Sequence, residues 1–307
     1  MNPTHWFLQD EGRLRAGWRL LLFAVFFAVC LIAINFLAVP FLLRWGPLAA
    51  QAAVMSASAL IATWGMMRWL EQRPLLAVGF VVERETAKEM ALGCGGGVIL
   101  VGAITVVEWA AGAIEFQPSD PSGGSFILFT TVVLLVAAST EELLFRGYPF
   151  QRLVEGTGSV VAILLSASLF GLLHAPNPHS THLSIANTML AGVLLSLAYL
   201  KTNALWLPIG FHFSWNWTMA LAGLPVSGLE LFEMPWKVVP SAERVWLHGG
   251  EYGPEGGLIT SAALMLGVAF LLLRRGKYQA LPPNQPPSAS GENPSQETLF
   301  SERRCKG

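Results

Sequence analysis

Long apolar stretches recur along this chain, and they constrain its fold more than any other feature. A window of roughly 20 residues, the length that crosses a bilayer as a helix, finds about eight such stretches. They lie near residues 18–42, 48–69, 90–112, 126–153, 159–174, 183–200, 204–221 and 257–273. The sequence therefore predicts an all-α, polytopic membrane helical bundle of about eight transmembrane helices.

Composition and charge agree with a membrane protein and argue against nucleic acid as a partner. The 307-residue chain is 53% hydrophobic and 13% charged, whereas soluble domains carry roughly 25% charged residues. Its formal net charge of −1 gives no sign of the clustered basic surface that nucleic acid requires. We therefore expect membrane lipid, and no nucleic acid, among its partners, and the oligomeric state stays open.

The distribution of lysine and arginine predicts the orientation in the membrane. Basic residues concentrate at both ends of the apolar region and in the connections after the second, fourth and sixth stretches, whereas Arg44, Lys237 and Arg244 fall on the opposite side. The positive-inside rule then places both termini in the cytoplasm, and we expect a prokaryotic inner membrane. A transmembrane domain is predicted over residues 1–277, followed by a disordered cytoplasmic tail over 278–307, rich in Pro, Ser, Gln and Asn.

The fourth apolar stretch contains three ionisable residues, Glu141, Glu142 and Arg146. Each costs at least a few kcal/mol at membrane depth, so their presence indicates a function. On a helix Glu142 and Arg146 stand four residues apart, which favours an ion pair, and Glu141 is rotated by about 100° from Glu142. Glu141 can therefore face a cavity, which makes it the candidate general base. The alternative is an ordinary charged helix end at the cytoplasmic rim.

Two later apolar stretches each carry a histidine, His174 in the fifth and His212, four residues before Asn216, in the seventh. If the fourth and fifth helices form an antiparallel hairpin around residues 155–158, Glu141 and His174 lie at nearly the same height. His212 is expected lower, within reach if the helices tilt. A lone histidine is more often structural, but two of them with a carboxylate pair and an amide indicate a site inside the bilayer.

These residues are compatible with two hydrolytic mechanisms. Glu141, His174 and His212 are a suitable ligand set for a divalent metal, above all Zn²⁺, whose bound water becomes hydroxide near neutral pH. Alternatively, Glu141 and His174 activate water without a metal, while His212 and Asn216 stabilise the oxyanion. The sequence leaves both mechanisms open.

The motifs Glu-Glu-x-x-x-Arg, Phe-x-x-x-His and His-x-x-x-Asn, in this order, resemble those of the CPBP family of intramembrane endopeptidases. These proteins are related to the type II CAAX prenyl protease and to bacteriocin-processing and immunity (Abi-type) proteins. The resemblance covers about residues 126–221 and implies a catalytic core there, within about eight spans. It implies that Glu141 is the catalytic acid, His174 its partner, and His212 with Asn216 the remaining pair. Arg146 would be the motif arginine, and the substrate a membrane-associated peptide or protein, prenylated or bacteriocin-like.

Two functions of other classes stay open on the sequence alone. The same ionisable groups form a relay in a proton-coupled transporter, which broken helices or an inverted repeat would favour. The second is a non-catalytic membrane scaffold or immunity protein with the same fold. The intact motifs argue against this second function.

Three expectations concern the parts outside these motifs. The glycine-rich run at residues 93–97 favours close helix packing. Glu108 is expected to anchor its helix at the membrane interface. Residues 224–256 are expected to form a long external loop, with His248 solvated.

Overall fold

The computed structural model describes residues 13–120, 127–231 and 233–274, so the tail expected at 278–307 lies outside the described residues. Helices dominate, which confirms the all-α class. The helices are α1 (Ala16–Leu42), α2 (Pro47–Gly65), α3 (Thr86–Ala110), α4 (Ile127–Arg146), α5 (Tyr148–Thr157), α6 (Ser159–Leu173), α7 (His182–Thr202), α8 (Trp206–Leu221), the short α9 (Val245–His248) and α10 (Leu258–Leu273). Strands β1 (Ile114–Pro118) and β2 (Trp236–Pro240) form a two-stranded antiparallel sheet.

Five helical segments of the described chain are long and apolar enough to cross a membrane, so this is an integral membrane protein. These segments are Ala16–Trp45, Pro47–Leu70, Thr86–Ala110, Ile127–Thr157 and His182–Thr202. Each of the eight apolar stretches is helical, but α6, α8 and α10 have only 15, 16 and 16 residues. They are shorter than the roughly 20 residues that a full span needs, so the count of full-length spans falls below eight.

The fourth apolar stretch is divided between α4 and α5 at Gly147. Gly147 leaves the helical conformation, with φ −78° and ψ −132°, and Pro149 stands in the first turn of α5. Proline suits this place because its missing N–H has no partner in a first turn. The helix therefore breaks just before Pro149, and Arg146 is the last residue of the helix that carries the two glutamates.

Glycines bring α3 into direct contact with α8. A Cβ at Gly93 would overlap the carbonyl oxygen of Leu207, and a Cβ at Gly97 would overlap the Ser214 hydroxyl and the carbonyl oxygen of Phe211. The expectation of close helix packing at this glycine-rich run is confirmed. Because α8 also carries His212, this contact fixes the height and rotation of one wall of the site.

A cluster of buried charges ties together α1, α5 and the turn after α2. The Glu71 carboxylate accepts hydrogen bonds from Arg19 at 3.1 Å and from the Tyr148 hydroxyl at 3.0 Å, and it pairs with Arg152 at 3.2 Å. Glu155 pairs with both arginines. We call these five residues the Glu71 cluster; the expected orientation places it at the cytoplasmic end. Arg19, Glu71, Tyr148 and Arg152 are buried, so each charge depends on its partners.

Residues 224–231 and 233–256, which were expected to form an external loop, are folded. Together with β1 they form what we call the extramembrane layer. Its strand β2 pairs with β1, with Ile114 opposite Pro240 and Pro118 opposite Trp236. His248 is buried rather than solvated. Both of its ring nitrogens have partners within the protein: Nε2 lies 2.9 Å from the Ser241 carbonyl oxygen, and Nδ1 accepts from the Gly250 amide at 3.0 Å. The expectation of a solvated His248 was therefore wrong.

Candidate active site

Glu142 lies at the point where α4, α7 and α8 meet. Its side chain is fully buried, and its Oε1 accepts from Arg146 Nη1 at 3.0 Å and from His212 Nδ1 at 2.8 Å. Arg146 also donates through Nη2 to the Gly192 carbonyl oxygen of α7 at 3.1 Å. The ion pair expected from the four-residue spacing is present. Its carboxylate, that of Glu142, also accepts a hydrogen bond from His212 of α8.

The contact with Glu142 fixes the orientation of the His212 ring. A carboxylate paired with an arginine can only accept, so the proton of this hydrogen bond belongs to His212 Nδ1. The other ring nitrogen, Nε2, then lies 3.7 Å from Oε2 of Glu141. This is the arrangement in which a carboxylate behind a histidine selects its tautomer and turns the second nitrogen toward the reaction.

Glu141 occupies a different environment from its neighbour in the chain. Its side chain is 34% exposed, whereas that of Glu142 is 0% exposed. Within the described part of the chain, Oε2 of Glu141 has no hydrogen-bond partner. The rotation of one helical position therefore separates an enclosed carboxylate from one that faces a cavity, as the sequence predicts.

His174 stands at the C-terminal end of α6 rather than inside it. Its Nδ1 lies 2.8 Å from the Phe170 carbonyl oxygen, which can only accept, so Nδ1 carries the proton and Nε2 is left as an acceptor. The Phe170 ring lies between the two histidines, with centroid distances of 4.8 Å to His174 and 6.0 Å to His212. The Arg146 guanidinium packs over the same ring at 4.7 Å.

One cavity of about 440 Å³ brings together the four residues for which the sequence predicts a catalytic role, Glu141, His174, His212 and Asn216. Its volume lies in the range usual for ligand sites, roughly 300 to 1,000 Å³. Much of its wall is apolar, including Leu134, Leu144, Phe145, Leu173, Leu195 and Leu264. The cavity thus offers a few convergent polar groups in an apolar enclosure, which suits a peptide bond presented from the membrane.

Glu255 is a residue of this cavity that sequence reasoning missed. Its Oε1 accepts from the Trp215 indole at 3.0 Å, and its Oε2 accepts from the Ser227 amide and hydroxyl at 2.7 and 2.8 Å. It therefore connects the extramembrane layer to α8, one residue before Asn216. Nothing in the glycine-rich sequence around Glu255 signals this role, because the contacts join residues far apart in the chain.

The candidate metal ligands Glu141, His174 and His212 do not converge on a single point. Among the residues that the structure describes, no group of three or more His, Cys, Asp or Glu side chains is placed to hold a metal ion. Glu141 and His212 face each other, but the hydrogen bond to the Phe170 carbonyl oxygen fixes the orientation of the His174 ring. The zinc site of Glu141, His174 and His212 stays a prediction.

The central part of the chain matches a known protein family. Residues 123–218 match the family model described as Type II CAAX prenyl endopeptidase Rce1-like. Because of this similarity we call residues 123–218 the Rce1-like segment. The match confirms the resemblance to CPBP proteins, and it supports a peptidase, in general an intramembrane endopeptidase acting on a peptide or protein substrate in the membrane. No curated protein matches the chain.

The Rce1-like segment contains α4 to α7 and most of α8, and with them every residue of the three motifs. Other walls of the cavity come from outside it. Met55 of α2, Leu264 of α10 and Glu255 of the extramembrane layer all line the same space. The matched segment thus contains all the residues for which the sequence predicts a catalytic role, and the remainder of the chain contributes other walls of the same cavity.

Proposed function

We propose that this protein hydrolyses a peptide bond of a membrane-associated substrate with a glutamate–histidine site. The observation that carries the proposal is the pair formed by Glu141 and His212. These groups face each other at 3.7 Å in the cavity wall, and His212 is held from behind by buried Glu142. A carboxylate that faces the cavity beside an imidazole of fixed orientation can carry out general acid–base catalysis.

Glu141 acts as the general base in this mechanism. A water molecule beside Glu141 transfers a proton to the carboxylate as its oxygen attacks the carbonyl carbon of the substrate. His174 orients the same water through its unprotonated Nε2, since Nδ1–H is occupied by the Phe170 carbonyl. Protonated Glu141 then gives its proton to the nitrogen of the leaving amine, so that the carboxylate is restored. Positioned proton transfer of this kind contributes about 10²- to 10⁴-fold to the rate.

Asn216 and His212 stabilise the negative oxygen that forms on the attacked carbonyl. Asn216 offers amide N–H donors, and His212 offers Nε2–H when its ring is protonated; both line the cavity. Donors that are fixed before the reaction are effective in such an apolar enclosure, where one of them is worth about 10²- to 10³-fold in rate. The hydrogen bond that His212 donates to Glu142, whose carboxylate also accepts from Arg146, preserves this geometry during turnover.

The apolar walls of the cavity indicate a lipid-modified or otherwise apolar peptide as the substrate. The family description names a CAAX prenyl endopeptidase, which points to peptides carrying a prenyl group near the C-terminus as the first class to test. Bacteriocin-like peptides are the second class. Both would reach the site from the membrane.

The experiment is cleavage by purified protein in lipid vesicles, with products read by mass spectrometry. Glu141→Gln and His174→Ala should each lower the cleavage rate by at least about 100-fold. Glu89→Gln and His182→Ala, which change the same residue types outside the cavity, should keep the wild-type rate. Absence of cleavage by wild type across prenylated and bacteriocin-like peptides, or full activity in Glu141→Gln, would overturn the proposal.

A further inference from the structure

A second cavity, also of about 440 Å³, lies between the C-terminal end of α3 and the extramembrane layer. It is separated from the active-site cavity by one stretch of chain, residues 224–231. Along this stretch Val226, Ser227, Leu229 and Leu231 line the active-site cavity, whereas Leu224, Pro225, Gly228 and Glu230 line the second. The two cavities therefore adjoin along residues 224–231.

Glu108 of α3 is the most unusual residue of this cavity. It was expected at the membrane interface, yet its side chain is completely buried. Neither of its carboxylate oxygens has a hydrogen-bond partner among the described residues. A buried carboxylate without a donor is costly, and an ionisable residue within a membrane-spanning helix is by default a candidate functional group.

The two histidines of the cavity do not supply the missing positive charge. His248 accepts a hydrogen bond from the Gly250 amide at Nδ1, so that nitrogen carries no proton and the ring is neutral. His179 is paired through Nδ1 with Glu251 at 2.9 Å. Glu230 adds a further acidic group to the cavity wall. Among the described side chains that line this space, acidic groups thus outnumber the basic groups that could pair with them.

The shape and walls of the cavity favour an organic cation over a metal ion. Its acidic groups do not form a cluster that could hold a metal within the described ranges. Apolar side chains, among them Ile114, Leu224 and Val238, complete the walls around Glu108. A lysine or arginine side chain matches this pattern, because its methylene stem packs on apolar surface while its charged end reaches a carboxylate.

We propose that the second cavity binds the basic side chain of a lysine or arginine in the substrate, with Glu108 as its counter-ion. This inference rests on the proposed peptidase function and adds a specificity determinant to it. The basic residue lies away from the bond that is cleaved, on the far side of the wall formed by residues 224–231.

The test is a binding measurement that does not depend on turnover. Full-length Glu141→Gln protein in lipid nanodiscs is titrated with two fluorescent prenylated peptides that differ only in one lysine, which is either native or Nε-acetylated. The lysine peptide should bind about tenfold or more tightly, as expected when a buried carboxylate gains or loses a charged partner. Adding Glu108→Gln should bring the affinity ratio near one, whereas Glu89→Gln, on the same helix but outside the cavity, should leave it unchanged.

Equal affinities for the two peptides would overturn the proposal, whatever the cleavage assay shows. A ratio that persists in Glu108→Gln would also overturn it. If Glu108→Gln does not fold, Glu108→Met, which fills the same buried space without a carboxylate, takes its place, and an unchanged ratio there counts against the site. Failure of the proposed hydrolysis is read separately, from the absence of cleavage by wild-type protein.

Discussion

Replacement of Glu142 by leucine tests the buried arrangement behind the site. In the folded protein Glu142 is fully buried and accepts from Arg146 at 3.0 Å and from His212 at 2.8 Å. Glu142→Leu leaves the Arg146 guanidinium buried without its counter-ion, which costs about 3–5 kcal/mol of stability. That corresponds to a hundredfold or larger shift of the unfolding equilibrium.

The double variant Glu142→Leu/Arg146→Leu separates loss of the charge pair from loss of packing. With both charges removed, no uncompensated ion remains, and the Gly192 carbonyl keeps a hydrogen bond from the Ser196 hydroxyl at 2.8 Å. The double variant should therefore be clearly more stable than Glu142→Leu alone, so that the two effects are not additive.

The assay is reversible unfolding in mixed micelles, followed by circular dichroism, alongside cleavage in vesicles. In both variants the cleavage rate should fall by about 10- to 100-fold, because His212 has lost Glu142, the group that orients its ring. Equal stability of the single and double variants would refute the reasoning about the buried charge. Full activity of the double variant would refute the role of Glu142 in orienting His212.

Four further predictions follow from other parts of the structure. Glu71→Ala should lower the free energy of unfolding by about 1–3 kcal/mol, measured by the same unfolding assay, because Arg19 and Arg152 lose one carboxylate partner and keep Glu155. Gly97→Leu should separate α3 from α8 and lower both the unfolding midpoint and the cleavage rate, whereas Gly95→Leu, where a Cβ meets no neighbour within 4 Å, should change neither. Glu255→Gln should lower kcat more than it raises KM, because Glu255 holds Trp215 and Ser227 in the cavity wall rather than binding substrate. Reporters fused to the two ends of the chain should both be cytoplasmic, as the distribution of basic residues predicts; an external signal from either would contradict that orientation.

The helices and the central site could be predicted from the sequence because their signals are local. Apolar runs of 15 residues or more mark every long helix, and the spacing of Glu142 and Arg146 on one helix is sufficient to predict their ion pair. Counting residues on both sides of one turn predicts that His174 comes to the level of Glu141, and the two residues line the same cavity. Predictions of this kind need only the geometry of a single helix or hairpin.

The extramembrane layer could not be predicted in the same way. Strands β1 and β2 have five residues each and lie more than a hundred positions apart in the chain, so neither produces a pattern by itself. The glycines around His248 predict a solvated side chain, yet they form the tight turns beside which His248 is buried. The place of Glu108 near a helix end predicts a position at the membrane interface, whereas its side chain is buried beside the folded layer.

Hydrolysis in water enriched in ¹⁸O tests the central claim most directly. Wild-type protein in vesicles, given a prenylated peptide, should place one ¹⁸O atom in the new carboxyl group of the product, and Glu141→Gln should form almost no product. Cleavage of equal rate in Glu141→Gln, or a product without ¹⁸O, would contradict the account in which Glu141 activates water at this site.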